Sequence, residues 1–280
     1  MPAFPILDNH LHLQPEGGNV LELRKFENNG GTHAILSHLP YKGIKIKTGR
    51  DFAKQYDITI GLAGKCNTGT NVKVYPFLGP YPAHLPWLWE EMGEKAVEVL
   101  MTGMDIAAEY VREGKALGIG EIGRPHFPVS AEIWQHSNDI MKHGMRLAKE
   151  LGCAVQLHTE SAGPEVWKEL AGFADEVGLD REKVVKHYSG AAILPEENHG
   201  LFPSVLSSKK NIQTAADKGS RFMMETDFLD DPRRPGAVMA PATVPKRTKA
   251  MLEQGVFTEE MVYKVHKEWP ERIYCIEIEW

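Results

Sequence analysis

Short apolar runs alternate along this chain with longer amphipathic segments, and no other feature narrows the fold as much. The pattern predicts strands over 3–7, 32–39, 72–78, 117–122, 153–157, 184–187, 204–207 and 221–225. Between most of them it predicts helices, over 20–28, 50–65, 95–117, 131–151, 164–176, 243–254 and 258–268. Strands alternating with helices mean βαβ units, hence a parallel sheet. About eight such units in a chain of this length make a (β/α)8 TIM barrel, an α/β fold with its active site at the C-terminal mouth of the strands. Residues 1–280 are read as one such domain. An open doubly wound sheet is the structural alternative, but no G-x-G-x-x-G follows the first strand. The stretch GLAGKCN at 61–67 is not a phosphate loop either: Thr59 stands where its first glycine belongs, and Cys66 follows the lysine.

Composition removes other classes. With 42% hydrophobic and 25% charged residues the chain is not globally disordered. Lys+Arg 32 against Asp+Glu 38 gives a net charge of −6, which is not the footprint of a protein gripping nucleic acid with its whole surface. Cys66, Cys153 and Cys275 are far apart and form no C-x-x-C pair. That argues against a disulfide scaffold or thiolate zinc site and fits a reducing compartment. There is no secretory signal pattern and no apolar run long enough for a membrane span. The expectation is a cytoplasmic protein with no membrane partner; the sequence does not give its oligomeric state.

The chemistry gathers at the expected strand ends. Asp8-Asn-His10-Leu-His12 follows the first apolar run, and residues i and i+2 of an extended chain face one side, so two imidazoles meet at one spot. Strand four ends on Glu121, strand five on His158-Thr-Glu160, strand six on His187, and strand eight on Glu225-Thr-Asp227. Taken singly, each has an ordinary explanation as a cap or a buried polar group. In a barrel all lie on one face around one cavity, which points to a shared site for one or two divalent ions: zinc, magnesium or manganese. Six protein ligands exceed what one open catalytic zinc takes. His10, His12 and Asp227 are therefore assigned to one ion, His158 and His187 to a second, with Glu121 bridging. Two ions ~3.5–4 Å apart clamp the attacking and leaving oxygens and lower the pKa of a bound water. Asp227 is read as the proton acceptor, and Glu160 and Glu225 as residues that orient the ligands.

These motifs (LDNHLHL, GIGEIG, QLHTES, KHYSG and METD) resemble the amidohydrolase superfamily, and within it the TatD-related metal-dependent hydrolases. The closing stretch from Val244 to Tyr274 is similar to that family's last helix pair. The likeness spans nearly the whole chain. It implies the barrel fold, divalent ions and hydrolysis, with Glu121 where other superfamily branches place a carbamylated lysine. Characterised enzymes of the family are largely deoxyribonucleases acting from DNA ends.

Two motifs depart from it. The family's nucleases usually carry Gly-x-His-Pro after strand three; here Gly79-Pro80-Tyr81-Pro82 places Tyr81 in that position, with His84 nearby as a substitute. After GEIG this chain has Arg124-Pro125-His126 instead of an apolar residue and Asp. Arg124 and His126 are read as contacts to a substrate phosphate or carboxylate. The pattern looks more like the archaeal predicted-hydrolase branch. The expected substrate is a small phosphoester or a DNA end, hydrolysed by metal-activated water. A small amide, lactone or cyclic compound is the first alternative, and a ligand-binding barrel with little catalysis the second.

Overall fold

The computed structural model describes residues 4–161 and 163–280. In chain order they form β1 (Leu7–His12), α1 (Val20–Asn28), β2 (His33–Ser37), α2 (Asp51–Gly69) and β3 (Lys73–Leu78). Then come α3 (His84–Met92), α4 (Lys95–Arg112), β4 (Gly118–Gly123), α5 (Ala131–Leu151), β5 (Val155–His158) and α6 (Pro164–Val177). The last part is β6 (Val184–Lys186), α7 (Pro195–Asn198), β7 (Phe202–Leu206), α8 (Lys209–Lys218), β8 (Met223–Glu225), β9 (Phe228–Leu229), α9 (Thr243–Glu253), α10 (Glu259–Tyr263) and α11 (Trp269–Tyr274).

The strands pair in parallel in the order β8-β7-β6-β5-β4-β3-β2-β1-β9. Only Thr226 and Asp227 separate β8 from β9, so the two ends of the sheet belong to one stretch of chain. The sheet therefore curls on itself, and β9 carries β8 across the seam to pair with β1. The Asp227 amide donates to the His10 carbonyl at 2.9 Å on the same seam. This is the expected barrel, with helices packed outside. The strands' outer apolar side chains and the inner faces of α4, α5 and α6 form one buried cluster that includes Met104, Ile119, Met141, Met145, Leu157, Trp167 and Leu170. Local sequence sets the helix ends: Ser130 caps α5 by accepting from the Ile133 amide, and Gly152 closes it at φ 68.

Two irregularities aim the site. Asp8 pairs with Ala34 but Leu11 with Leu36, so β1 holds one extra residue between them. Ile119 pairs with Val155 but Ile122 with Leu157, so β4 does the same around Glu121. Such bulges re-aim a side chain beside an active site. The glycines of GIGEIG let β5 come close: a Cβ on Gly120 would lie 2.8 Å from the Gln156 Cβ, and one on Gly123 2.0 Å from the His158 carbonyl oxygen.

Several expectations shift. Of the first run, Ala3 lies outside the described residues, and β1 runs from Leu7 through His12, because the polar residues there are themselves buried. The proline-rich stretch after β3, for which no helix is predicted from the sequence, contains α3; Pro86 sits in its first turn, where no intrahelical N–H is needed. The helix expected to run to 117 stops at Arg112, before Gly114 at φ 70. At the C-terminal end α11 runs through Tyr274, and Lys267 and Glu271 bind the backbone of Ile278 and fold the tail back. No helix among the described residues is long and apolar enough to cross a membrane.

Candidate metal centre

The barrel mouth brings together all six residues assigned as ligands. His10 and His12 meet Nε2 to Nε2 at 3.0 Å. Asp227 Oδ1 lies 3.4 Å from His12 Nε2 and 3.9 Å from His10 Nε2. On the other side His158 Nδ1 and His187 Nε2 are 3.1 Å apart. Glu121 stands between the two groups: its Oε2 is 3.3 Å from His10, 3.1 Å from His158 and 3.4 Å from His187, and its Oε1 is 3.7 Å from His12. The donor atoms of His10, His12 and Asp227 form one cluster able to hold a metal ion, and those of Glu121, His158 and His187 form another.

The donor set suits cations. His12 Nδ1 contacts the Ser37 carbonyl oxygen at 2.8 Å, and a carbonyl only accepts. Nδ1 therefore carries the proton, and Nε2 turns a bare lone pair toward His10 and two carboxylates. A neutral His12 has no proton to offer there, so the convergent oxygens and nitrogens call for positive charge. This is the usual arrangement of a metal-ligating imidazole, whose remote N–H is tied to a carbonyl. The electrostatics agree. Burial opposes charge on His10, but Glu121, by hydrogen bond and charge, with Glu225 and Asp227 behind it, lifts its pKa to about 9. Burial would raise Glu121, yet His158, His10 and His12 hold it well below the ordinary carboxylate value. Asp227 is lowered by the same contest, won by His12, His187 and His10. Both carboxylates are thus ionised at neutral pH.

The supporting residues divide. Glu225 is fully buried; its Oε1 lies 3.4 Å from His187 Nδ1 and accepts from the Tyr188 amide at 2.7 Å. His126 reaches the mouth: its Nδ1 is 2.8 Å from His158 Nε2. Tyr81 packs edge-on to His158 with ring centres 5.4 Å apart.

Three assignments need correction. Arg124 is not open to a substrate. It is fully buried and donates to Glu160 at 2.8 Å and to Asn138 at 3.0 Å, pairs with Glu169 at 2.7 Å, and lies over the Trp134 ring. Glu160 consequently grips Arg124 rather than a ligand histidine. His84 is buried between Phe52 and Trp87 and does not join the cluster, so it does not replace the family's histidine. The sequence reading missed Ser37 and Gln156, both of which touch His10 and its surroundings. The signal for Gln156 was available: it stands two residues before His158 in a strand, on the same inward face.

A family model described as TatD related DNase matches residues 7–275. The chain belongs to that family. A relative in Methanocaldococcus jannaschii, an uncharacterized protein, is 40% identical over 284 residues, covering 100% of this chain and 99% of that one. Among solved structures, a TatD-like protein from Archaeoglobus fulgidus superposes with a TM-score of 0.68 at 20% identity, covering 96% of this chain and 100% of the other. The phosphotriesterase homology protein of Escherichia coli, crystallised with phosphate in its active site, gives a TM-score of 0.67 at 14% identity, covering 97% and 98%. The TatD hydrolase fold and the His/Asp/Glu clusters able to bind metal thus occur in one molecule.

Proposed function

We propose that this chain is a hydrolase working through divalent ions at the barrel mouth, and that its substrates are phosphoesters, DNA ends among them. One observation carries the reading: the Glu121 carboxylate lies within reach of the histidines of both ligand groups, an arrangement suited to an in-line displacement at phosphorus. His10, His12 and Asp227 would hold one ion, and His158 with His187 the other, with Glu121 common to both. Ions held there would supply a water nucleophile at neutral pH and would stabilise charge on the ester oxygens.

The chain's own residues supply the rest. Asp227 is ionised and, at the mouth, its side chain keeps 20% of its exposure, so it can take the proton from the attacking water. His158 uses Nδ1 toward the centre, which leaves Nε2–H to donate to His126 Nδ1. His126 then points its own Nε2–H outward as a donor to a substrate oxygen. Tyr188, held by Glu225, and Trp87, beside Tyr81, are half-exposed aromatic rings near His187 and His158. They offer flat faces to a base or other ring. We assign the protein to the cytoplasm, on its three free thiols.

The test is elemental analysis followed by an assay on 3′- and 5′-labelled single-stranded DNA and on small phosphomonoesters and diesters, with and without added Zn, Mn or Mg. Metal-dependent cleavage of any of these, absent in His10→Ala, is the expected result. Bound metal with turnover only on lactones or amides would overturn the substrate class. Failure of the protein to bind any of these ions would overturn the whole reading.

A further inference from the structure

The interior of the barrel holds a chain of polar contacts that begins at the metal centre and ends on the last helix. Gln156 and Tyr274 are its middle and end, and neither belongs to the six ligands. Every group in it is buried. His10 Nδ1 lies 3.0 Å from Gln156 Oε1, and Ser37 Oγ donates to the same oxygen at 2.6 Å. On the far side of the amide, Gln156 Nε2 donates to the Asn9 carbonyl at 2.8 Å and to the Tyr274 hydroxyl at 3.3 Å. The Tyr274 hydroxyl donates to Asn9 Oδ1 at 2.7 Å. Asn9 Nδ2 in turn donates to Ser204 Oγ at 2.9 Å, and Ser204 hydrogen-bonds Glu225.

The direction of this chain is fixed by its chemistry. The Asn9 carbonyl only accepts, so the Gln156 amide must turn its NH2 there and its oxygen toward His10. A flipped amide would set oxygen against oxygen at 2.8 Å. With Gln156 Oε1 facing it, His10 Nδ1 has to be the donor, which makes Nε2 the nitrogen that an ion at the ligand cluster would meet. Tyr274 closes the loop because its hydroxyl accepts from Gln156 and donates to Asn9 at once. It thereby holds the amide in this sense. Gly120 makes room for the arrangement, since a Cβ there would press on the Gln156 side chain.

We infer that Gln156 and Tyr274 are positioning residues for the metal centre. Tyr274, on the final helix 264 residues beyond His10, fixes the amide that fixes the His10 tautomer. The C-terminal helix is therefore part of the site's preorganisation and not only of its packing. The inference rests on the metal-centre reading above and adds two residues to it.

A double-mutant cycle tests it, using the full-length protein and Zn2+ alone, with affinity read by competition with a chelator of known strength. Gln156→Leu is expected to weaken zinc binding about 10–100-fold, the usual effect of removing a ligand's hydrogen-bond partner. Tyr274→Phe, which deletes one oxygen, is expected to weaken it roughly 3–10-fold, below that range because one bond to Gln156 survives. The double variant is expected to bind as Gln156→Leu does, because Tyr274 acts through Gln156. The d–d absorption of the Co2+-loaded protein should shift in both single variants, a readout that lost packing alone would leave unchanged. Unchanged zinc affinity in a folded Tyr274→Phe protein, or additive losses in the double variant, would overturn the inference. Wild-type protein that takes up no zinc or cobalt would instead sink the metal centre itself, so the two failures are distinguishable.

Discussion

His266 gives the sharpest quantitative prediction, because it lies away from the metal centre and its environment is closed. It is fully buried beneath β1, with Nδ1 3.2 Å from the Leu7 amide nitrogen and Nε2 2.9 Å from Thr248 Oγ1. Thr248 Oγ1 donates to the Val244 carbonyl, so it accepts from His266, and the ring is neutral with Nε2–H. Burial lowers its pKa from 6.5 to about 4. A histidine depressed in the folded state is protonated first in the unfolded chain. Its contribution to stability is present above pH 6.5 and is lost as pH falls toward 4. Integrated between pH 7 and pH 5, this one group costs about 2 kcal/mol. The assay is urea unfolding at pH 7 and pH 5 for wild type and His266→Gln. Comparing the two pH differences cancels the contribution of every other titrating group. The variant is expected to lose about 2 kcal/mol less than wild type over that interval. Equal losses in both proteins would refute the argument that His266 is held neutral by burial.

Four further outcomes follow from the structure. Asp227→Asn should remove turnover, by at least about 100-fold for a lost proton acceptor, while circular dichroism shows a folded protein. His126→Ala should lower kcat/KM by about 10-fold or more with metal content unchanged, since its Nε2–H is assigned to the substrate and not to an ion; a loss of metal instead would make it a ligand support. Arg124→Met should leave KM for any substrate within two-fold but cost stability, about 2–3 kcal/mol in urea unfolding. That is below the usual penalty for a broken buried ion pair, because Glu160 and Glu169 are partly exposed. Zinc at about 100 times its Kd should stabilise the folded protein by about 2.7 kcal/mol, and a chelator should reverse this.

What the linear sequence carried was periodicity and residue type. Apolar runs separated by amphipathic segments predicted the parallel barrel, and strand ends rich in His, Asp and Glu marked the mouth where His10, His12, Glu121, His158, His187 and Asp227 now meet. Both signals are local, repeated every few tens of residues, and so survive in one dimension. Elements whose polarity contradicts their place were misread: β1 is lined with Asp8, Asn9, His10 and His12, and α3 begins among prolines. Only the tertiary structure decided which polar side chains are already engaged. Arg124 looks identical in sequence whether it faces solvent or lies buried on Glu160, Glu169 and Asn138, because its partners are 14 to 45 residues away. Tyr274 and Gln156 give no local hint of reaching His10, since their contacts span 118 and 146 residues and exist only once the barrel closes. The sequence determined the ligand types and their order around the mouth. The bulges in β1 and β4, and the buried hydrogen bonds beneath them, set the direction in which each ligand points, because those depend on strand register and on neighbours distant in the chain.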